Sequence, residues 1–174
     1  MKAKRARKDA RKARRNAPAV TLVVEDDGWR KDPVMLRLIR RAARLALDHA
    51  PRRARSATLL LTGDKRVREL NRQFRGKKKA TNVLSFVSDD PSYWGDVAIA
   101  LGVVKREARL QAKTVAAHAA HLTVHGILHL KGYDHAKSSD RASMERLEIL
   151  MLSRLGVSNP YEPRPYTRRA KAVN

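Results

Sequence analysis

The chain has 174 residues, the size of one domain with a single core. With 43% hydrophobic but only 5% aromatic residues, that core should be aliphatic. Its 39 basic and 17 acidic residues give a formal charge of +22, which points to a polyanionic partner. No run approaches the roughly 18 apolar residues of a membrane span, the N-terminus lacks an apolar secretory segment, and Cys is absent, so a soluble, cytoplasmic protein without disulfides is expected.

Residues 1–18 hold nine Lys or Arg against Asp9 alone, a net of +8 that leaves +14 of the +22 for the rest. They read as a disordered basic arm ended by Pro18, either a source of nonspecific RNA affinity or a solvated tail. Residues 20–25 (VTLVVE) are apolar and β-branched, a strand closed by the Asp26-Asp27-Gly28 turn. Asp32 before Pro33 starts a helix, because the carboxylate caps and the proline has no N–H to satisfy. On it Met35, Leu38, Ile39, Ala42 and Ala46 recur at helical spacing and face inward; Arg37, Arg40, Arg41 and Arg44 face out.

Residues 57–62 (ATLLLT) form a buried strand, and Gly63-Asp64 turn into and cap a second helix with Val67, Leu70 and Phe74 inward. That helix runs out at Arg75-Gly76, followed by a cationic loop of Lys77, Lys78 and Lys79. These lysines are candidates for RNA contact, and a planar guanidinium at a helix exit, as at Arg75, suits two-point contact with a phosphate. Residues 83–87 are the third strand. A loop from Asp89 carries Tyr93 and Trp94, which either stack on bases or pack on the sheet edge. Residues 95–100 are the fourth strand, with Asp96 near its start. A helix over about 103–111 follows, then one opened by Thr114 and ending at Lys131, then a last one from Ser138-Ser139 with Met144, Leu147, Met151 and Leu155 inward and Gly156 at its end. The tail from 162 to 174 reads as flexible. The fold class is α+β, a single domain over residues 19–161 with four short strands and about five helices.

The helix ending at Lys131 carries the chemistry. His125 and His129 stand four residues apart, so their imidazoles project from one face, one turn apart. Gly132 can take the left-handed conformation that ends a helix and swings the chain back, which can deliver His135 as a third ligand. The resulting H-x-x-x-H-x-x-G-x-x-H has the ligand spacing of metzincin zinc enzymes, but Gly126 stands where those proteases place their general-base Glu. Three neutral imidazoles favour one Zn2+ with an open fourth position, a catalytic kind of site. His121, a turn before His125, could serve as a fourth ligand but would then close the site, so it reads instead as a candidate to support or pack beside the ligands; His118 reads as helix surface. Asp134 is a candidate to accept a hydrogen bond from a ligand imidazole or to cap the turn at Gly132, and Asp96 is a further candidate beside the metal cleft.

These residues also carry a resemblance. HGILHLKGYDH resembles the signature of the YbeY family of metal-dependent endoribonucleases, which act in ribosomal RNA maturation. LNRQFRGKKKATNVLSF (70–86), GDVAIA (95–100) and NPY (159–161) are similar to its other landmarks in the same order. The resemblance implies a mixed four-stranded sheet, a zinc ion on His125, His129 and His135, a functional arginine at Arg75, and single-stranded ribosomal RNA and the ribosome or small-subunit proteins as partners. Two departures are Lys78, where the family often has an acid, and Ala80, where it has a proline.

Chemically, the metal can polarise a phosphodiester while Arg75 neutralises charge building on it; either water or the ribose 2′-hydroxyl can be the nucleophile. Two rivals stand. A metalloprotease is favoured by ligand spacing alone, against Gly126 and the charge. A non-catalytic ribosome-binding protein would use the histidines as a structural zinc site.

Overall fold

The computed structural model describes residues 19–49, 56–134 and 138–162. The basic arm, His135 and the tail from 163 onward lie outside them. Strands β1 (Val20–Val24), β2 (Ser56–Thr62), β3 (Val83–Val87) and β4 (Tyr93–Ala100) form one sheet in the order β1-β2-β4-β3. β1, β2 and β4 run parallel, and β3 pairs antiparallel with β4 as an outermost strand. Five α-helices accompany them among the described residues: α1 (Pro33–Asp48), α2 (Asp64–Arg75), α3 (Leu101–Leu110), α4 (Val115–Leu130) and α5 (Ser138–Ser153). The expected α+β domain with a four-stranded mixed sheet is what forms.

Local chemistry explains most element ends. The Asp32 carboxylate accepts from the Met35 N–H at 2.9 Å, with Pro33 in the first turn of α1. Thr114 caps α4 by accepting from the Ala117 N–H at 3.1 Å. Gly132, at φ 84°, ends α4: its N–H bonds the His129 carbonyl while that of Tyr133 bonds Leu128, a Schellman closure. Asp64 departs from expectation. It leaves its own helix uncapped and accepts from the Val103 N–H at 3.0 Å, so it caps α3, which begins at Leu101.

The sheet has two unequal faces. One carries the main core, where Ile39, Leu59, Leu61, Ile99, Ile127 and Leu128 are sealed from solvent under α1, α4 and α5. Each such side chain contributes about 1.5–3 kcal/mol by burial. α4 is the central helix, packed against α1, α3, α5, β3 and β4. The other face has a small cluster of Val67, Leu84, Ala98, Ala100 and Val103 beneath α2 and α3. This layer is too thin to enclose the end of α2, so Phe74 is 59% exposed, contrary to its expected inward position. Tyr93 and Trp94 also differ from expectation. They begin β4 instead of standing in a loop; the Tyr93 hydroxyl bonds Thr58 at 2.7 Å, and Trp94 packs against the core, which takes both from the role of free stacking surfaces.

Gly126 shows why α4 lies so close to the sheet. A Cβ there would come within 2.6 Å of Val97 Cγ1 and 3.2 Å of Val83 Cγ2, and the Ser85 hydroxyl donates to the Gly126 carbonyl at 3.0 Å. A side chain at 126 would therefore meet β3 and β4, so a protease-like Glu has no room. Gly126→Ala should destabilise the protein by about 1–3 kcal/mol through overpacking. A urea unfolding midpoint equal to wild type would show that Val97 yields freely.

Candidate metal and RNA site

α4 turns His125 and His129 toward a cleft of about 530 Å³ at the open edge of the sheet, lined also by Arg75, Asn82, Ser85 and Asp134. Their Nε2 atoms face one another at 3.1 Å. The Nδ1 of His125 lies 2.7 Å from Oε1 of Glu148, which is fully buried on α5. Burial alone would raise the Glu148 carboxyl, but hydrogen bonds from His121, His125 and Tyr161 outweigh it and hold the group down at about 2. An ionised carboxylate only accepts, so Nδ1 of His125 carries the proton and Nε2 presents a lone pair to the cleft. Two ring nitrogens converging at this distance, one of them set by a carboxylate behind it, suit a shared cation.

His121 stays on the buried side, where its Nε2 lies 3.5 Å from Oε2 of Glu148 and its ring meets Tyr161 edge-on. His121, His125 and Glu148 each offer one donor atom, all within 4.8 Å of one another, a set that could itself hold a metal ion. The two arrangements share His125. His125 Nε2 faces His129 at the cleft, and its Nδ1 edge is occupied by the carboxylate hydrogen bond.

Arg75 reaches the cleft from the opposite face of the sheet. As the last residue of α2 before Gly76 (φ 66°), it crosses β3 and donates to the Ser85 carbonyl at 3.1 Å. It also lines a second hollow of about 570 Å³ with Lys77, Lys78 and Lys79, all exposed. Asn71 holds this loop by donating to the Lys79 carbonyl at 2.7 Å. Asp134 is at the cleft rim. Asp96 is not. Its neighbour Val97 faces α4, so strand alternation sends Asp96 to the other face, where it accepts from the Tyr93 hydroxyl at 2.5 Å.

His118, expected on the helix surface, is buried with its Nε2 2.7 Å from Glu107, and burial lowers its pKa below the ordinary histidine value. Glu148 and Tyr161 were not expected in the site at all. A signal for Glu148 existed: at four residues past Met144 and three before Met151, it is a charged residue on the inner stripe of α5. Tyr161 donates to Glu148, and burial followed by that carboxylate raises its hydroxyl above the usual tyrosine range.

Residues 30–156 match the family described as Endoribonuclease YbeY. The chain belongs to the YbeY endoribonuclease family. It is 43% identical to the Endoribonuclease YbeY of Maricaulis maris over 146 residues, which is 82% of this chain and 91% of that protein. It is 38% identical to that of Bradyrhizobium diazoefficiens over 164 residues, covering 87% of this chain and 90% of the relative. The solution structure of a Thermotoga maritima protein has the same fold, with a TM-score of 0.56 at 21% identity over 86% of this chain and 100% of that one. Among the described residues of this YbeY member, no helix is long and apolar enough to cross a membrane.

Proposed function

We propose that this protein is a zinc-dependent endoribonuclease that cuts single-stranded RNA in ribosomal RNA maturation, at the 16S 3′ end, and in ribosome quality control. The observation that carries the reading is the convergence of the His125 and His129 Nε2 atoms, 3.1 Å apart, in a cleft that also receives Arg75. These two residues, together with His135, would hold one zinc ion. When bound, it supplies Lewis acidity toward a phosphodiester.

The chain's own groups do the rest. Glu148 fixes the His125 tautomer and ring orientation from behind. Arg75, aimed by the Ser85 carbonyl, binds a non-bridging phosphate oxygen and stabilises the charge that grows on it. Lys77, Lys78 and Lys79 hold the neighbouring phosphates along the second hollow, and the arm of residues 1–18 adds nonspecific affinity. The catalytic domain spans residues 19–161, with a basic tail from 162 to 174. The protein works in the cytoplasm, with the ribosome or small-subunit proteins as partners.

Single-stranded and duplex oligoribonucleotides incubated with the purified protein test this reading. Cleavage of the single strand, stopped by a chelator and restored by zinc, is expected; zinc-restored activity on casein but not on RNA would overturn it. A 2′,3′-cyclic phosphate on the product identifies the ribose hydroxyl as nucleophile, and a 5′-phosphate identifies water. Arg75→Lys keeps the charge but loses the fork, and should lower kcat about tenfold. An unchanged kcat would remove Arg75 from the phosphate.

A further inference from the structure

The chain has two phenylalanines, and the fold brings them together at its surface. Phe74, in the last turn of α2, meets Phe86 of β3 edge-on with ring centroids 5.1 Å apart. Phe86 is half-buried on the small cluster under α2. The next contact along is the Arg75 guanidinium on the Ser85 carbonyl, and both of those residues line the histidine cleft. On each element, then, the aromatic residue is the immediate chain neighbour of a cleft residue.

Packing accounts poorly for this pair. A phenylalanine with more than half its surface in water forgoes most of the stabilisation its size offers, while Val67 already fills the inner face of α2. The surroundings favour a polyanion: Arg72, Arg75, Lys77, Lys78 and Lys79 are all exposed. Acids are present too, but Asp96, opposite Phe86 in the strand register, is bonded to Tyr93, and Glu69 pairs with Arg66. An apolar, flat-sided patch within a cationic field, one residue from a phosphate-binding arginine, matches the chemistry of an unpaired nucleotide.

We propose that Phe74 and Phe86 form a stacking platform for the RNA base next to the scissile phosphate. The proposal rests on the ribonuclease reading above and extends it. Bases in a duplex are already stacked on their neighbours, so such a platform also favours single strands over duplexes.

Steady-state cleavage of a single-stranded oligoribonucleotide by the zinc-loaded full chain tests it, with Phe74→Ala, Phe74→Trp and substrates carrying one abasic position moved along the strand. Phe74→Ala should raise KM roughly five- to hundredfold at low and high salt alike, with kcat little changed, and Phe74→Trp should restore it. In the wild type, one abasic position should raise KM to a similar extent, and in Phe74→Ala it should have no effect. If Phe74→Ala keeps the wild-type KM, or if no abasic position distinguishes the two proteins, the platform is overturned while the ribonuclease stands. A rise in KM that Trp fails to restore also overturns it, and marks the pair as packing or as a protein contact. A wild type that neither binds nor cuts RNA removes the ribonuclease reading and this proposal together.

Discussion

His129→Ala is expected to abolish RNA cleavage, by about three orders of magnitude or more, and to leave a folded protein that still binds RNA. The reasoning is positional. His129 stands on the cleft wall, only partly buried, and the core contacts of α4 are made by other residues such as Ile127 and Leu128. Trimming it opens the cleft without leaving a void in the core, so the stability change should stay within about 1 kcal/mol. On the zinc reading proposed above, the loss would fall on the cation, since removing one of its nitrogen donors would also remove several kcal/mol of charge stabilisation in the transition state. Zinc content, cleavage rate and urea midpoint measured on one preparation separate the outcomes. Inactive, zinc-poor, folded protein supports a catalytic site. If the variant simply unfolds, the histidines serve a structural metal and the binding-protein reading gains.

Glu148→Ala should have two large effects at once. Its carboxylate is fully enclosed and shared by His125, His121 and Tyr161. Deleting it strands those partners, at a cost of about 3–5 kcal/mol. It also frees the His125 ring to rotate and removes the acceptor that sets its tautomer, which should weaken zinc binding about 10–100-fold. Glu148→Gln separates the two effects. The amide keeps the shape and one acceptor oxygen, so most of the stability should return, whereas the neutral group accepts more weakly and zinc affinity should stay low. Competition with a chromogenic chelator reads the affinity, and urea unfolding reads the stability. A Gln variant that binds zinc as wild type does would reduce Glu148 to a packing role.

Much of the site was legible because its spacing is local. His125 and His129 share a helix face by virtue of being four residues apart, Gly132 ends that helix by its own conformational freedom, and the Asp32-Pro33 and Thr114 starts are settled within three residues. The family landmarks lie along the chain in the same way, so the resemblance and the α+β class were readable before any contact was known. His135, the expected third ligand, lies outside the described residues.

What only the tertiary structure decided are matters of facing and partnership. Asp96 and Val97 are adjacent, yet strand alternation gives the cleft side to Val97, and only the position of α4 says which side that is. Phe74 follows the same helical stripe as Val67, yet it stays in water because, among the described residues, the small cluster under α2 does not extend over it. Asp64 caps a helix that begins 37 residues later in the chain, and Glu148 orients a histidine 23 residues before it. Hydrogen bonds and side-chain periodicity within one element depend on neighbours three or four residues away, which a sequence displays directly. The meeting of α5 with α4, or of Arg75 with Ser85 across the outer strand, depends on how separate elements bury their apolar faces against each other, and that is settled only when the core closes.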